Sequence, residues 1–113
     1  MIEEDLYYKL IDYVVEVEER VYPVVMPQNC EKPAIVYTIV SDVDEQGVNG
    51  CIAGGDVRVQ IDVYAYGYLE VKELRDLVKE AIIPLGPVDI DVRDDYEDDT
   101  KLFRQIIDFK LRR

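Results

Sequence analysis

Hydrophobic and polar positions along this chain change period four times, and each change marks an element. Ile2, Leu6, Leu10, Tyr13, Val14 and Val17 recur at three- and four-residue steps, which predicts an amphipathic helix over residues 2–19. Glu3, Glu4 and Asp5 suit the positive end of its dipole. Pro23, Pro27 and Pro33 then forbid a continuing helix, and the β-branched run Ala34–Val40 predicts a strand. From Asp56 to Tyr66 the period is two: Val57, Val59, Ile61, Val63 and Ala65 fall on one face, and Arg58, Gln60, Asp62, Tyr64 and Tyr66 on the other. At about 3.3 Å per residue that strand runs roughly 36 Å, whereas a compact domain of this size has a radius of gyration of about 13 Å. A single strand therefore spans the domain and carries a polar, tyrosine-bearing face from end to end.

Leu69–Ile83 predicts a second helix, with Leu74, Leu77, Val78, Ala81 and Ile82 on its apolar face. Pro84, Gly86 and Pro87 end it. Val88–Val92 alternates briefly, Asp94–Thr100 reads as an acidic turn, and Leu102–Leu111 is a last strand. In that strand Phe103, Ile107, Phe109 and Leu111 oppose Arg104, Asp108 and Lys110. The order αββαββ with short connections favours antiparallel hairpins. The expected fold is α+β: a two-layer sandwich, one domain over 1–113, with an antiparallel four-stranded sheet and two helices on one face.

Composition narrows the function classes. With 113 residues the chain can bury about two-thirds of its unfolded surface without staples. It has no histidine, which removes the ordinary imidazole base, the Ser-His triad and His-containing zinc sites. Two cysteines, Cys30 and Cys51, are too few for a disulfide scaffold and are expected as free thiols. The net charge of −12 opposes binding to nucleic acid or anionic membranes. The acidic N-terminus lacks the basic start of a signal peptide, so a cytoplasmic site of synthesis and use is expected.

Candidate chemistry is sparse. Asp89, Asp91, Asp94, Asp95, Glu97, Asp98 and Asp99 resemble a hard-cation site in number only. A calcium loop begun at Asp94 places Asp99 where glycine is needed and Gln105 where the bidentate glutamate belongs. A solvated acidic turn is the expectation, and no metal, cofactor or catalytic residue is assigned. Ser41–Gly55 is polar and glycine-rich, but it leads into a strand and contains no basic residue, so phosphate binding is not expected. It reads as a flexible finger between two strands that orders against a partner. Tyr7, Tyr13 and Tyr37 are expected at the core margin. Arg58, Gln60, Asp62, Tyr64 and Tyr66, with Gly50 and Gly54 in the finger, are the expected interface residues, because tyrosine and arginine are enriched where proteins meet.

Four segments together resemble the small tail-completion, or tail-terminator, proteins of long-tailed bacteriophages and prophages. The first runs from Arg20-Val-Tyr-Pro23 through prolines to Pro33-Ala-Ile-Val-Tyr37. The second is Val59-Gln-Ile-Asp-Val-Tyr-Ala65, and the third is the tyrosine-led helix from Tyr68. The last is Asp95-Tyr-Glu-Asp-Asp-Thr100 followed by Arg104 and Ile107-Asp-Phe109. The resemblance implies a non-enzymatic virion-assembly protein that forms a ring, commonly hexameric. Such a ring caps the tail tube and joins the tail to the head connector. The implied partners are further copies of the chain, the tail-tube protein and the head-connector protein. No specific nucleic-acid binding is expected, the acidity allowing DNA to pass through the lumen, and the implied location is the virion neck after assembly in the bacterial cytoplasm. Six copies would carry about −72 formal charges, a lumen that repels phosphate. The competing reading is a small ligand-binding or regulatory α+β domain with the finger as a lid.

Overall fold

The computed structural model describes residues 2–46 and 52–112. Its order is α1 (Ile2–Tyr13), β1 (Val21–Pro23), β2 (Ala34–Gln46), β3 (Ile52–Ala65), α2 (Tyr68–Ile82), β4 (Val88–Glu97) and β5 (Leu102–Arg112), with short 3₁₀ turns at Val15–Val17 and Ile83–Leu85. The strands form one five-stranded sheet in the order β1-β2-β3-β5-β4. Both helices contribute to a single buried cluster with one face of that sheet. The α+β class and the two helices agree with the sequence reading. The expected four-stranded antiparallel sheet does not: β1 adds a fifth strand, and it pairs parallel to β2, so the sheet is mixed.

The added strand follows from an early helix end. Val14, Val15 and Val17 are β-branched and lose side-chain freedom against a preceding helical turn. Val14 leaves the helical region at φ −99, ψ 73, and the 3₁₀ turn then buries Val17. This brings Arg20 beside the start of β2, where its carbonyl accepts from the Ile35 N–H at 2.9 Å. Its guanidinium donates to the Pro33 carbonyl at 2.9 Å. Three residues ending in proline show no period, and proline is tolerated because β1 is an edge strand.

The core is built from the inward faces. Val57, Val59, Ile61, Val63 and Ala65 of β3 are all buried, as are Ile107, Phe109 and Leu111 of β5 and Val71, Leu74, Val78, Ala81 and Ile82 of α2. Full burial of each large aliphatic or aromatic side chain contributes about 1.5–3 kcal/mol.

β2 and β3 are longer than their sequence pattern suggested. Their ladder continues from Ala34↔Tyr64 to Gln46↔Ile52, with irregularities at Ile39/Ser41 and Asp44/Gln46. The expected loop over Ser41–Gly55 is therefore corrected: residues 41–46 and 52–55 are strand. β5 stops pairing with β3 at Asp56↔Arg112. Past that point β2 and β3 are paired to each other alone among the described residues, a two-stranded arm extending beyond the sheet. The molecule measures 52 × 27 × 24 Å, and its radius of gyration of 15.1 Å exceeds that of a compact chain of this length.

The acidic turn is likewise mostly strand, since β4 pairs with β5 through Glu97↔Leu102. Cys30 is a free, half-buried thiol, and Cys51 lies outside the described residues.

Candidate protein–protein interface

Pairing register places the outer face of β3 between β2 and β5 in rows of known composition. Toward the arm, Arg58 lies opposite Ser41 and Lys110. Next come Gln60 between Thr38 and Asp108, Asp62 between Val36 and Ile106, and Tyr64 between Ala34 and Arg104. Two-residue spacing along the strand sets these rows about 6.6 Å apart.

The expected interface residues differ sharply in what they can offer a partner. Arg58 is exposed and has no ion-pair partner among the described residues. Gln60 is half-buried, and its amide donates to both Asp62 oxygens at 3.1 Å. Asp62 is buried and accepts from Arg104 Nε at 3.2 Å and from an Arg104 terminal nitrogen at 3.1 Å. Arg104 also pairs with Asp95 at 3.4 Å and stands 5.7 Å from the centre of the Tyr64 ring. Burial raises the Tyr64 hydroxyl above its ordinary value; the Arg104 charge works against that shift. Tyr66 is 63% exposed just past the strand end. Gly54 sits on the arm at φ 121, a conformation that favours glycine. Gly50 lies outside the described residues.

Arg58, Gln60, Asp62 and Tyr64 thus share one column, with Tyr66 and Gly54 at its two ends. Within it, Asp62 serves as the internal anchor of a network that includes Arg104 and Asp95. Alternation in both strands put Asp62 and Arg104 on one face; the β3–β5 register needed to pair them is not a local property of either segment. The outer face is also partly covered at this end. Ala34, Val36 and Leu102 are buried but lie outside the helix-covered cluster. The proline-rich segment after β1 approaches here, and Met26, Pro27, Cys30, Lys32, Tyr66 and Leu102 line an open cavity of about 740 Å³.

The acidic residues from Asp89 to Glu97 are spread along β4, with Asp98 and Asp99 in the turn after it, and several are tied to separate partners. Asp94 accepts from Lys72 Nζ at 2.6 Å, from the Gln105 amide at 2.6 Å and from the Tyr68 hydroxyl at 3.4 Å. The Lys72 hydrogen bond, then that of Gln105, holds its carboxyl below the ordinary value of 3.8. Asp91 and Asp108 lie directly opposite each other, and Arg93 bridges them. Asp89 faces Lys110 at 3.5 Å. Among the described residues no group of three or more acidic or cysteine side chains is arranged to hold a metal ion.

A second surface was not apparent from the sequence. At the β1 edge, Glu3, Glu4, Tyr7 and Tyr8 of α1 meet Pro23 and Tyr37 around an open groove of about 550 Å³. The Tyr7 ring lies 5.5 Å from Tyr8 at 72° and 6.4 Å from Tyr37 at 52°. Tyr7 and Tyr37 pack on the core margin, as expected. Tyr13 is more exposed, and its hydroxyl donates to Glu80 at 2.7 Å. Burial, then the neighbouring Tyr7 and Glu3, raises the Tyr37 hydroxyl above its ordinary value. Helical spacing placed Tyr7 near the core but could not reveal that β2 brings Tyr37 beside it.

Among the described residues this surface is one of contacts and electrostatics. Over residues 13–112 the sequence matches the family described as Tail completion protein gp17. The chain belongs to that family. Membership makes it a structural protein of the bacteriophage tail, in agreement with the resemblance carried by the sequence motifs. The fold is similar to that of a solved chain from the virion of a native gene transfer agent particle. The TM-score is 0.72 at 17% identity, covering 95% of this chain and 90% of the other. At that identity the similarity speaks for the fold. No curated protein matches this sequence. Tail-completion membership spans β1–β5 and α2, so the polar column, the arm and Tyr37 of the groove all fall inside the matched region.

Proposed function

We propose that copies of this chain close into a ring, six in the reading adopted here, that caps the finished tail tube and joins it to the head connector. Family membership over residues 13–112 is the observation that carries this reading. Three further features support it. The paired arm gives each subunit a projection beyond its own sheet. The exposed Arg58 and Tyr66, with Tyr64 held by the Arg104–Asp62 pair, give the outer face a patterned contact surface. The charge of −12 suits a passage through which DNA moves without adhering. In this reading the protein has no enzymatic role. It works in the neck of the virion, after assembly in the host cytoplasm, with the tail-tube and head-connector proteins as its partners.

A phage or prophage lacking the gene tests the role. DNA-filled heads and separate tails should accumulate, and supplying the chain in trans should restore joined particles. Fully joined, infectious particles in its absence would overturn the proposal.

A further inference from the structure

We propose that successive copies associate back to front, with Arg58 of one copy seated in the tyrosine groove at the β1 edge of the next. This inference rests on the ring reading above and adds the residues of the contact. A closed ring of identical subunits needs two different, complementary patches on each chain. The groove supplies one. Three tyrosine rings and two carboxylates surround it, and no basic side chain lines it among the described residues. Neither Glu3 nor Glu4 has an ion-pair partner among those residues. A ring-lined, negatively charged recess accepts a guanidinium through both its π faces and its carboxylates.

The second patch lies on the opposite side of the same sheet. Arg58 and Lys110 stand directly opposite each other on the central strand β3 and its neighbour β5. Like charges in that relation oppose each other. Lys110 has Asp89 at 3.5 Å, whereas Arg58 is exposed and unpaired among the described residues. An anionic surface laid over this row would relieve the repulsion. The groove carries the required charge, and it opens on the helix-bearing side, away from the row that holds Arg58. One chain therefore cannot satisfy itself, whereas a head-to-tail series can.

Charge exchange tests the contact, read by sedimentation of the full chain over a concentration series. Wild type should sediment as an oligomer. Both Arg58→Glu and the Glu3→Arg/Glu4→Arg pair should weaken association at least about tenfold. The variant carrying all three changes should recover it. Unchanged thermal unfolding of the monomers would exclude misfolding as the cause. If wild type assembles but Arg58→Glu assembles equally well, or the combined variant fails to recover, the contact is wrong while the ring reading stands. A wild type that stays monomeric alone and with tail tubes would overturn both.

Discussion

The most instructive residue is Asp62, a carboxylate that alternation placed on a solvent-facing strand surface and that is in fact buried. Its burial is sustained by Arg104 and Gln60, so removing it leaves a guanidinium only 23% exposed without its nearest partner. Asp62→Ala should destabilise the monomer by about 2–3 kcal/mol, measured by urea unfolding. A loss below about 0.5 kcal/mol would show that Asp95 alone satisfies Arg104. Asp94 behaves differently because it is exposed. Its folded pKa lies below 3.8, so the stability it contributes is present above that pH and is lost as pH falls through the lower, folded value. Asp94→Asn should therefore flatten the acid limb of the stability curve below 3.8, seen in urea midpoints taken over that range. An unchanged acid limb would argue that other carboxylates govern it. At this scale the sequence disclosed which face each residue occupies. It did not disclose the partners, because Asp62 and Arg104 are 42 positions apart and meet only through strand register.

At the scale of elements, periodicity was most reliable where one face is buried. α2 and the centre of β3 lie within a few residues of their expected bounds because their apolar faces alone account for the pattern. Truncating Leu74 to alanine should cost about 2–5 kcal/mol in unfolding free energy, the usual effect of a cavity in a packed core. Pattern failed at the ends. α1 stops at Tyr13 because Val14 leaves the helical region and the 3₁₀ turn that follows buries Val17, and β1 is too short to have a period. The arm was read as a loop because Ser41–Gly55 is polar and glycine-rich and shows no apolar alternation. Its ladder is set by backbone pairing to β2. Shortening the hairpin to remove residues 44–54 should change monomer stability by less than about 1 kcal/mol, since among the described residues the core cluster is formed from other parts of the chain. The same change should prevent assembly on tail tubes, scored by electron microscopy. Normal assembly by the shortened chain would remove the arm from the account.

The whole molecule is an elongated plate, 52 Å long and about half as wide, with helices on one side and a polar sheet face on the other. That two-sidedness lets identical copies meet through unlike surfaces. Its acidity, with 25 acidic residues against 13 basic ones, predicts that mixing with duplex DNA at moderate salt produces no shifted band in a gel. A stable complex there would contradict a passage role. Function at this scale was legible as family resemblance and as the absence of histidine. The paired surfaces appeared only when distant segments were brought together. The central claim is assembly at the end of the tail tube, and mass measurement of the chain mixed with purified tail tubes addresses it most directly. A discrete closed ring bound at one end of each tube is the predicted result. Monomers whose mass distribution the tubes leave unchanged would contradict it.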